Sequence, residues 1–376
     1  MTTPLHFAVR TAPTLLFALA LAAAPAAQAD SIYVQQNLVS DGFVTADHTD
    51  ANLVNAWGIA FNPTGVVWIA DNGTGVSTLY DGTGTAVELT VVIPKAANNT
   101  EGGNPTGIVF NNTTNAFATS SGPSKFIFAS EDGSISAWTP GDPLQHVQNA
   151  TLEVDNSKTT GAVYKGLALG ADGTQTLLYA ADFHNNRIDV FDSMFHPVSL
   201  PGAFKDPRLP AGFAPFGIRN LDGNIYVTYA KQDKDKHDDV AGRGDGFVNV
   251  FDPKGVLIQR IATRGPLNSP WGLAIAPAGF GRFSHHLLVG NFGDGHINAY
   301  DLESGEFAGQ LRDSHGKALH IDGLWGLAFG DGYAMQSVNT LFFTAGPGDE
   351  QHGLYGKIDV KQGSTHFDSQ GRDDDD

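Results

Sequence analysis

"SPWGLAIAP" (269–277) decides the reading of this chain, because its centre recurs. "NAWGIAFNP" (55–63) and "GLWGLAFG" (323–330) repeat Trp-Gly, an aliphatic residue and Ala, so one tetrapeptide holds three of the five tryptophans. A looser form occurs six times, as "AWGIAF" (56–61), "PTGIVF" (105–110), "YKGLAL" (164–169), "PFGIRN" (215–220), "PWGLAI" (270–275) and "LWGLAF" (324–329). The glycines, Gly58, Gly107, Gly166, Gly217, Gly272 and Gly326, stand 49 to 59 residues apart. Self-similarity at such a period marks a repeat architecture.

Each copy is followed by a second β-rich run, such as "VVWIAD" (66–71), and a third, such as "RIDVFD" (187–192). Gly, Asn, Asp and Pro separate the runs, and no long stretch carries helical periodicity. After five copies there is room for a fourth strand, for example "AVELTVVI" (86–93) and "VLIQRIAT" (256–263). Six units of up to four strands predict an all-β, six-bladed β-propeller, an architecture that leaves only short, protected edges. The sixth unit ends near Val360 without a fourth strand, while "IYVQQNLV" (32–39) lies unassigned at the other end. That strand is expected to complete the last blade and close the ring. Strict alternation along the first strand puts Trp57, Ile59 and Phe61 on one face and Gly58 and Ala60 on the other.

The pattern of Gly-Leu-Ala-Leu followed by "LYAADFHNNRIDVFD" (178–192), clearest in the third unit, resembles NHL-type repeats across nearly the whole chain after residue 30. Together with the N-terminal stretch and "NLVSDGFVTADHTDANLVNAWGIAF" (37–61), it also resembles a family of secreted bacterial propeller proteins. The resemblance implies the propeller fold, and a fold alone implies no activity.

Residues 1–29 read as a signal peptide: one Arg and no acid at the start, the apolar "TLLFALALAAAPA" (14–26), and small residues in "AQA" (27–29), with cleavage expected before Asp30. The protein is therefore expected to be exported, periplasmic or extracellular. No later segment is apolar enough over about 20 residues to span a membrane. Residues 30–361 form the single propeller domain, and 362–376 an acidic tail expected to be disordered. The chain has no cysteine and a formal net charge of −18, which disfavours disulfides, thiolate metal sites and polyanionic partners such as nucleic acid. Nothing indicates an oligomer, and a monomer is expected.

The loops entering the first strand and joining the second to the third meet at one end of a propeller channel. In order, the residues preceding the motif glycine are Trp57, Thr106, Lys165, Phe216, Trp271 and Trp325. Lysine where four equivalents are aromatic needs a partner or a use. Asp182, with His184 and Asn185 beside it, is the expected ion-pair partner from the same unit. The ligand-binding candidates are thus Lys165, Thr106, Asp182, His184, Asn185, Trp57, Trp271 and Trp325.

Oxygen- and nitrogen-rich loops at the same end supply the metal candidates Asp47, His48, Asp50, Asn55, Asp71, Asn291, His320, Asp322 and His352. Calcium, which takes six to eight oxygen ligands, is the candidate ion. There is no Gly-x-Ser-x-Gly, His-Glu-x-x-His or phosphate-cradling Gly-Lys-Ser/Thr motif, so no nucleotide cofactor is expected. The charged excursion "KQDKDKHDD" (231–239) reads as a solvated loop tip. Two functions remain open. One is a binding module for a small molecule, glycan or protein at the loop-rich face; the other is a metal-dependent hydrolase or lyase, lactonase-like, with the metal at the channel.

Overall fold

The computed structural model describes residues 31–100 and 102–362; the signal-peptide and acidic-tail readings lie outside them. Six sheets are arranged as blades in chain order, each starting from one Gly-motif strand: Ala56–Phe61, Pro105–Phe110, Tyr164–Ala171, Phe213–Leu221, Pro270–Ile275 and Leu324–Phe329. The second and third strands follow antiparallel in every blade. This is the expected six-bladed propeller.

The ring closes as expected. Ser31–Ser40 pairs antiparallel with Leu354–Gln362, so blade six takes its outer strand from the N-terminal side of the chain. His48–Thr49 then pairs parallel with the end of that strand. Blade four carries its outer strand at Leu257–Thr263, but blade one keeps only Thr90–Val92 of its predicted outer strand. Val147–Asn149 extends blade one by pairing parallel with it.

Blade three departs from the expectation: among the described residues it has three strands, and its outer segment makes only a bridge, Phe191 to Pro197. Pro197, Pro201, Pro207 and Pro210 cannot donate to a ladder, which explains the missing strand.

The innermost strands also depart from plain alternation, and in the same way in all six blades. The ladder with the second strand skips the motif glycine and the residue before it, between Ala56 and Ile59 in blade one and between Leu324 and Leu327 in blade six. The same irregularity recurs in blades two to five. A bulge re-aims the side chain it carries. Trp57 accordingly does not share a cluster with Ile59 and Phe61. Those two pack between blades six and one, while Trp57 joins Phe216 and Trp325 in the channel.

The glycines at these bulges set the radius of the ring. A Cβ on Gly272 would stand 2.5 Å from the Trp325 carbonyl oxygen of the next blade. On Gly326 it would stand 2.9 Å from the Trp57 carbonyl oxygen, and on Gly166 3.0 Å from that of Phe216. Gly58, Gly107 and Gly217 press still closer on Thr106, Leu167 and Trp271. Real Cβ atoms do not come within 3.0 Å of other atoms, so five of these positions demand glycine, and Gly166 sits at that limit.

Between each neighbouring pair of blades lies one apolar cluster, and the cluster between blades six and one completes the circle. Tyr33 of the closing strand belongs to the wedge between blades five and six. It is buried, its ring stacks 5.8 Å from Phe283, and its hydroxyl donates to the Phe280 carbonyl at 3.2 Å. Tyr33→Ala removes a buried aromatic from the wedge into which the ring-closing strand packs. It is expected to lower unfolding free energy by about 3 kcal/mol, measured by urea denaturation. Loss of less than about 1 kcal/mol would show that this wedge contributes little.

Candidate functional site

The re-aimed side chains fill one end of the channel. Trp57 and Trp325 stack at 3.7 Å, and Phe292 stacks on the other side of Trp325 at 3.8 Å. Trp271 stands edge-on to both tryptophans, at 6.3 and 5.9 Å. Phe216 and Phe183 complete this plug. Thr106 contributes nothing to it, because its hydroxyl is turned between blades and donates to the Tyr164 carbonyl at 2.7 Å.

Lys165 reaches into the same place. Its side chain is 2% exposed, and its Nζ lies 5.2 Å from the centre of the Trp57 ring. Its ion-pair partners are Glu131 and, at 3.0 Å, Asp238. Asp182 is not its partner, as the sequence had suggested. The Asp182 carboxylate is folded back on its own turn, accepting from Asn185 Nδ2 at 2.8 Å and facing Arg187 at 3.4 Å. Burial opposes the charge of Lys165, but the Glu131 and Asp238 carboxylates more than offset it and hold the ammonium above the ordinary lysine range.

Hydrogen bonds extend this triple across five blades. Trp325 Nε1 donates to Asn55 Oδ1 at 2.9 Å, and Asn55 Nδ2 donates to Glu350 at 2.7 Å and to Asn72 at 3.3 Å. Asn72 Nδ2 donates to the second oxygen of Glu131 at 2.8 Å. On the far side, His237 Nδ1 meets Asp238 at 3.0 Å. Their hydrogen bond is the main reason the Asp238 carboxyl lies below, and the His237 imidazole above, its usual range. Glu350 is pushed up to about 7, first by burial and then by the charge of Glu131. Glu131, Glu350, Trp271 and Phe292 are half-buried, while His237 and Asp238 are exposed, so the cluster opens to solvent.

Most of the other candidates are placed apart from this cluster. Asp47 and His48 are exposed near the closing strand, where Asp47 accepts from Gln36 at 2.7 Å. Asp50 accepts from the Tyr80 hydroxyl at 2.9 Å. Asp71 is fully buried and accepts from Thr78, and burial pushes its carboxyl well above the usual range. Asn291 donates to the Pro266 carbonyl and to Asp294. His320 is exposed beside His296, and Asp322 accepts from the Gly348 amide. His352 pairs with Asp41 at 2.7 Å under Phe43. His184 is half-buried on the blade-three turn beside Asn185.

Among the described residues these groups do not gather into one metal cluster; Asn55 alone joins the network around Lys165. The one group of His and carboxylate atoms within 4.8 Å of one another is Glu131, His237 and Asp238. Sequence reading missed Glu131, Asp238 and Glu350. All three lie in the turns after the second strand, at "EDG" (131–133), "KHDD" (236–239) and "GDE" (348–350), and shared turn position was the available signal.

No protein-family model matches the chain. An uncharacterised protein of Acanthamoeba polyphaga mimivirus is 36% identical over 333 residues, covering 85% of this chain and 78% of that protein. The chain belongs to the family of this mimivirus protein. A second uncharacterised mimivirus protein is 34% identical over 341 residues, with 88% and 86% covered.

Solved structures share the fold at much lower identity. A Bacteroides thetaiotaomicron protein of unknown function has TM-score 0.56 at 11% identity, covering 88% of this chain and 77% of that one. A streptogramin B lyase has TM-score 0.51 at 12%, with 88% and 98% covered. A glucose dehydrogenase has TM-score 0.52 at 13%, with 86% and 99% covered. Propellers of this shape thus include a lyase and a dehydrogenase, and at these identities they inform the fold alone.

Because its folded value of about 7 lies above the ordinary 4.5, Glu350 binds its proton more tightly in the folded chain. Its contribution to stability is therefore complete below about pH 4.5 and is lost as pH rises through about 7. Infrared difference spectra are expected to show a protonated-carboxyl band near 1,700 cm⁻¹ (about 5.9 μm) titrating near pH 7 and absent in Glu350→Gln. A band with its midpoint near pH 4.5 would show an ordinary carboxylate.

Proposed function

We propose that this is an exported, monomeric ligand-binding propeller. Its ligand is a small molecule or the terminal unit of a glycan, rich in hydrogen-bond donors, held at the loop-rich mouth of the channel. The observation that carries the reading is the Lys165–Glu131–Asp238 triple. A buried ion pair is poor evidence of stabilisation, since apolar residues of similar volume serve a core as well or better. Four of the other blades place an aromatic residue at this position, so the fold itself makes no demand for lysine. What Lys165 does is hold carboxylates from blades two and four side by side at a solvent-facing opening. Lys165 is thus a positioning residue. Glu131, Asp238 and Glu350 can accept hydrogen bonds from hydroxyl or amino groups, while the half-buried Trp271 and Phe292 rings offer apolar faces.

A second reading has a specific observation behind it. Glu131, His237 and Asp238 could together ligate a divalent cation, and a carboxyl near pKa 7 suits proton transfer, as a metal-dependent hydrolase or lyase requires. The ammonium of Lys165 already occupies one oxygen of each carboxylate, which favours the metal-free reading.

Calorimetric titration with glucose, cellobiose, choline and spermidine, each with EDTA or with added calcium or manganese, separates the two. The binding account predicts saturable, metal-independent binding of at least one probe, weakened tenfold or more in Lys165→Met and Trp271→Ala. Stoichiometric metal retention with chelator-sensitive turnover of lactones or esters would replace it with the second reading. Binding left unchanged by both substitutions would contradict it.

A further inference from the structure

Blade four breaks the repeat at another position. Two residues beyond the motif glycine, the other blades have Ala60, Val109, Ala168, Ala274 and Ala328, where blade four has Arg219. These parts of the innermost strands line the channel on the other side of the aromatic plug. They enclose a cavity of about 330 Å³, the size of a small-ligand site. Aliphatic Ile59, Ile108, Leu167, Ile218 and Leu273 line it together with the polar Arg219 and Asn220, and Trp271 stands at the plug. The residue at the outer end of this stretch is half-buried in all six blades, so the cavity meets solvent there rather than at the loop-rich mouth.

Arg219 crosses this space. Its Nη1 donates to the Leu327 carbonyl of blade six, two blades away, so the guanidinium lies in the channel and not between sheets. Among the described residues it has no carboxylate partner and no other side-chain hydrogen bond. Burial alone lowers it to about 10, with no neighbouring charge to compensate, and it therefore remains a cation at neutral pH. Arg219 is half-buried, and a cation partly withdrawn from water with no anion beside it favours a partner that supplies one. A guanidinium presents five donors in a planar fork, and one is committed to Leu327.

We propose that the channel binds a small organic acid, its carboxylate paired with Arg219 and its apolar body lying against the aliphatic wall. The planar fork matches a carboxylate with two parallel hydrogen bonds. One positive charge balances a monoanion, whereas a phosphate dianion would bring surplus negative charge that no second cation in the lining offsets. The side chains that build this site are distinct from the network around Lys165, and Trp271 is the one residue that borders both.

The test is calorimetric titration of the full chain with sodium hexanoate, 1-hexanol and inorganic phosphate, repeated on Arg219→Gln and Arg219→Lys. Hexanoate is expected to bind saturably, and hexanol and phosphate at least tenfold more weakly. Arg219→Gln should lose tenfold or more in hexanoate affinity, with Arg219→Lys in between. As a readout that does not depend on variants folding, the Arg219 Nε–H resonance of ¹⁵N-labelled wild-type protein should shift on hexanoate addition and not on hexanol addition. No saturable hexanoate binding, equal binding by Arg219→Gln, an unmoved Nε–H resonance, or phosphate binding more tightly than hexanoate would each overturn the proposal. The first of these would leave Arg219 as a cross-channel strut to Leu327.

Discussion

Six glycines pressed against the backbone of the next blade hold this molecule together. At Gly58, Gly107, Gly166, Gly217, Gly272 and Gly326, a side chain would enter space already taken by the neighbouring innermost strand. That close approach makes the channel narrow. It also explains why the bulge recurs in register: the ladder is released for two residues, the glycine turns toward the next blade, and the residue before it turns toward the axis. One local irregularity, repeated six times, yields both the ring and the set of side chains that meet at its centre.

Because the central position is aromatic in four blades, the default content of the channel is an apolar plug. The exceptions then place the charged groups of the channel. Lys165 of blade three draws Glu131 and Asp238 to the mouth on one side of the plug. Arg219 of blade four puts a cation into the cavity on the other. Equivalent positions elsewhere in the ring are filled by aromatic or small residues, so the fold does not demand a charge at either. Arg219 and the carboxylates that Lys165 holds face solvent at opposite ends of the channel.

The repeat, its six copies, the closure by Ser31–Ser40 and the singular status of Lys165 were all legible in the sequence, because each follows from periodicity or from a break in it. The bulge was not. Alternation of side chains predicts Trp57 and Ile59 on the same face, and only the packing of six strands around one axis forces them apart. The partners of Lys165 were equally hidden. Asp182 lies in the same blade and near it in sequence, but its oxygens are occupied by Asn185 and Arg187, whereas Glu131 and Asp238 come from the neighbouring blades. Acidic and histidine residues such as Asp71 and His352 look like metal ligands in sequence, yet they bond separately to strands and loops around the ring, Asp71 to Thr78 and His352 to Asp41, rather than converging on one point.

The most direct measurement of this account is the unfolding free energy of Gly272→Ala beside Gly102→Ala, by urea denaturation. The methyl at position 272 would meet the Trp325 carbonyl, while that at 102 would meet nothing within 4 Å. The account predicts a loss of about 3 kcal/mol for the first and a change within about 0.5 kcal/mol for the second. Equal stability of the two variants would contradict it, because the innermost strands would then have room to spare and the ring would not be set by glycine contact.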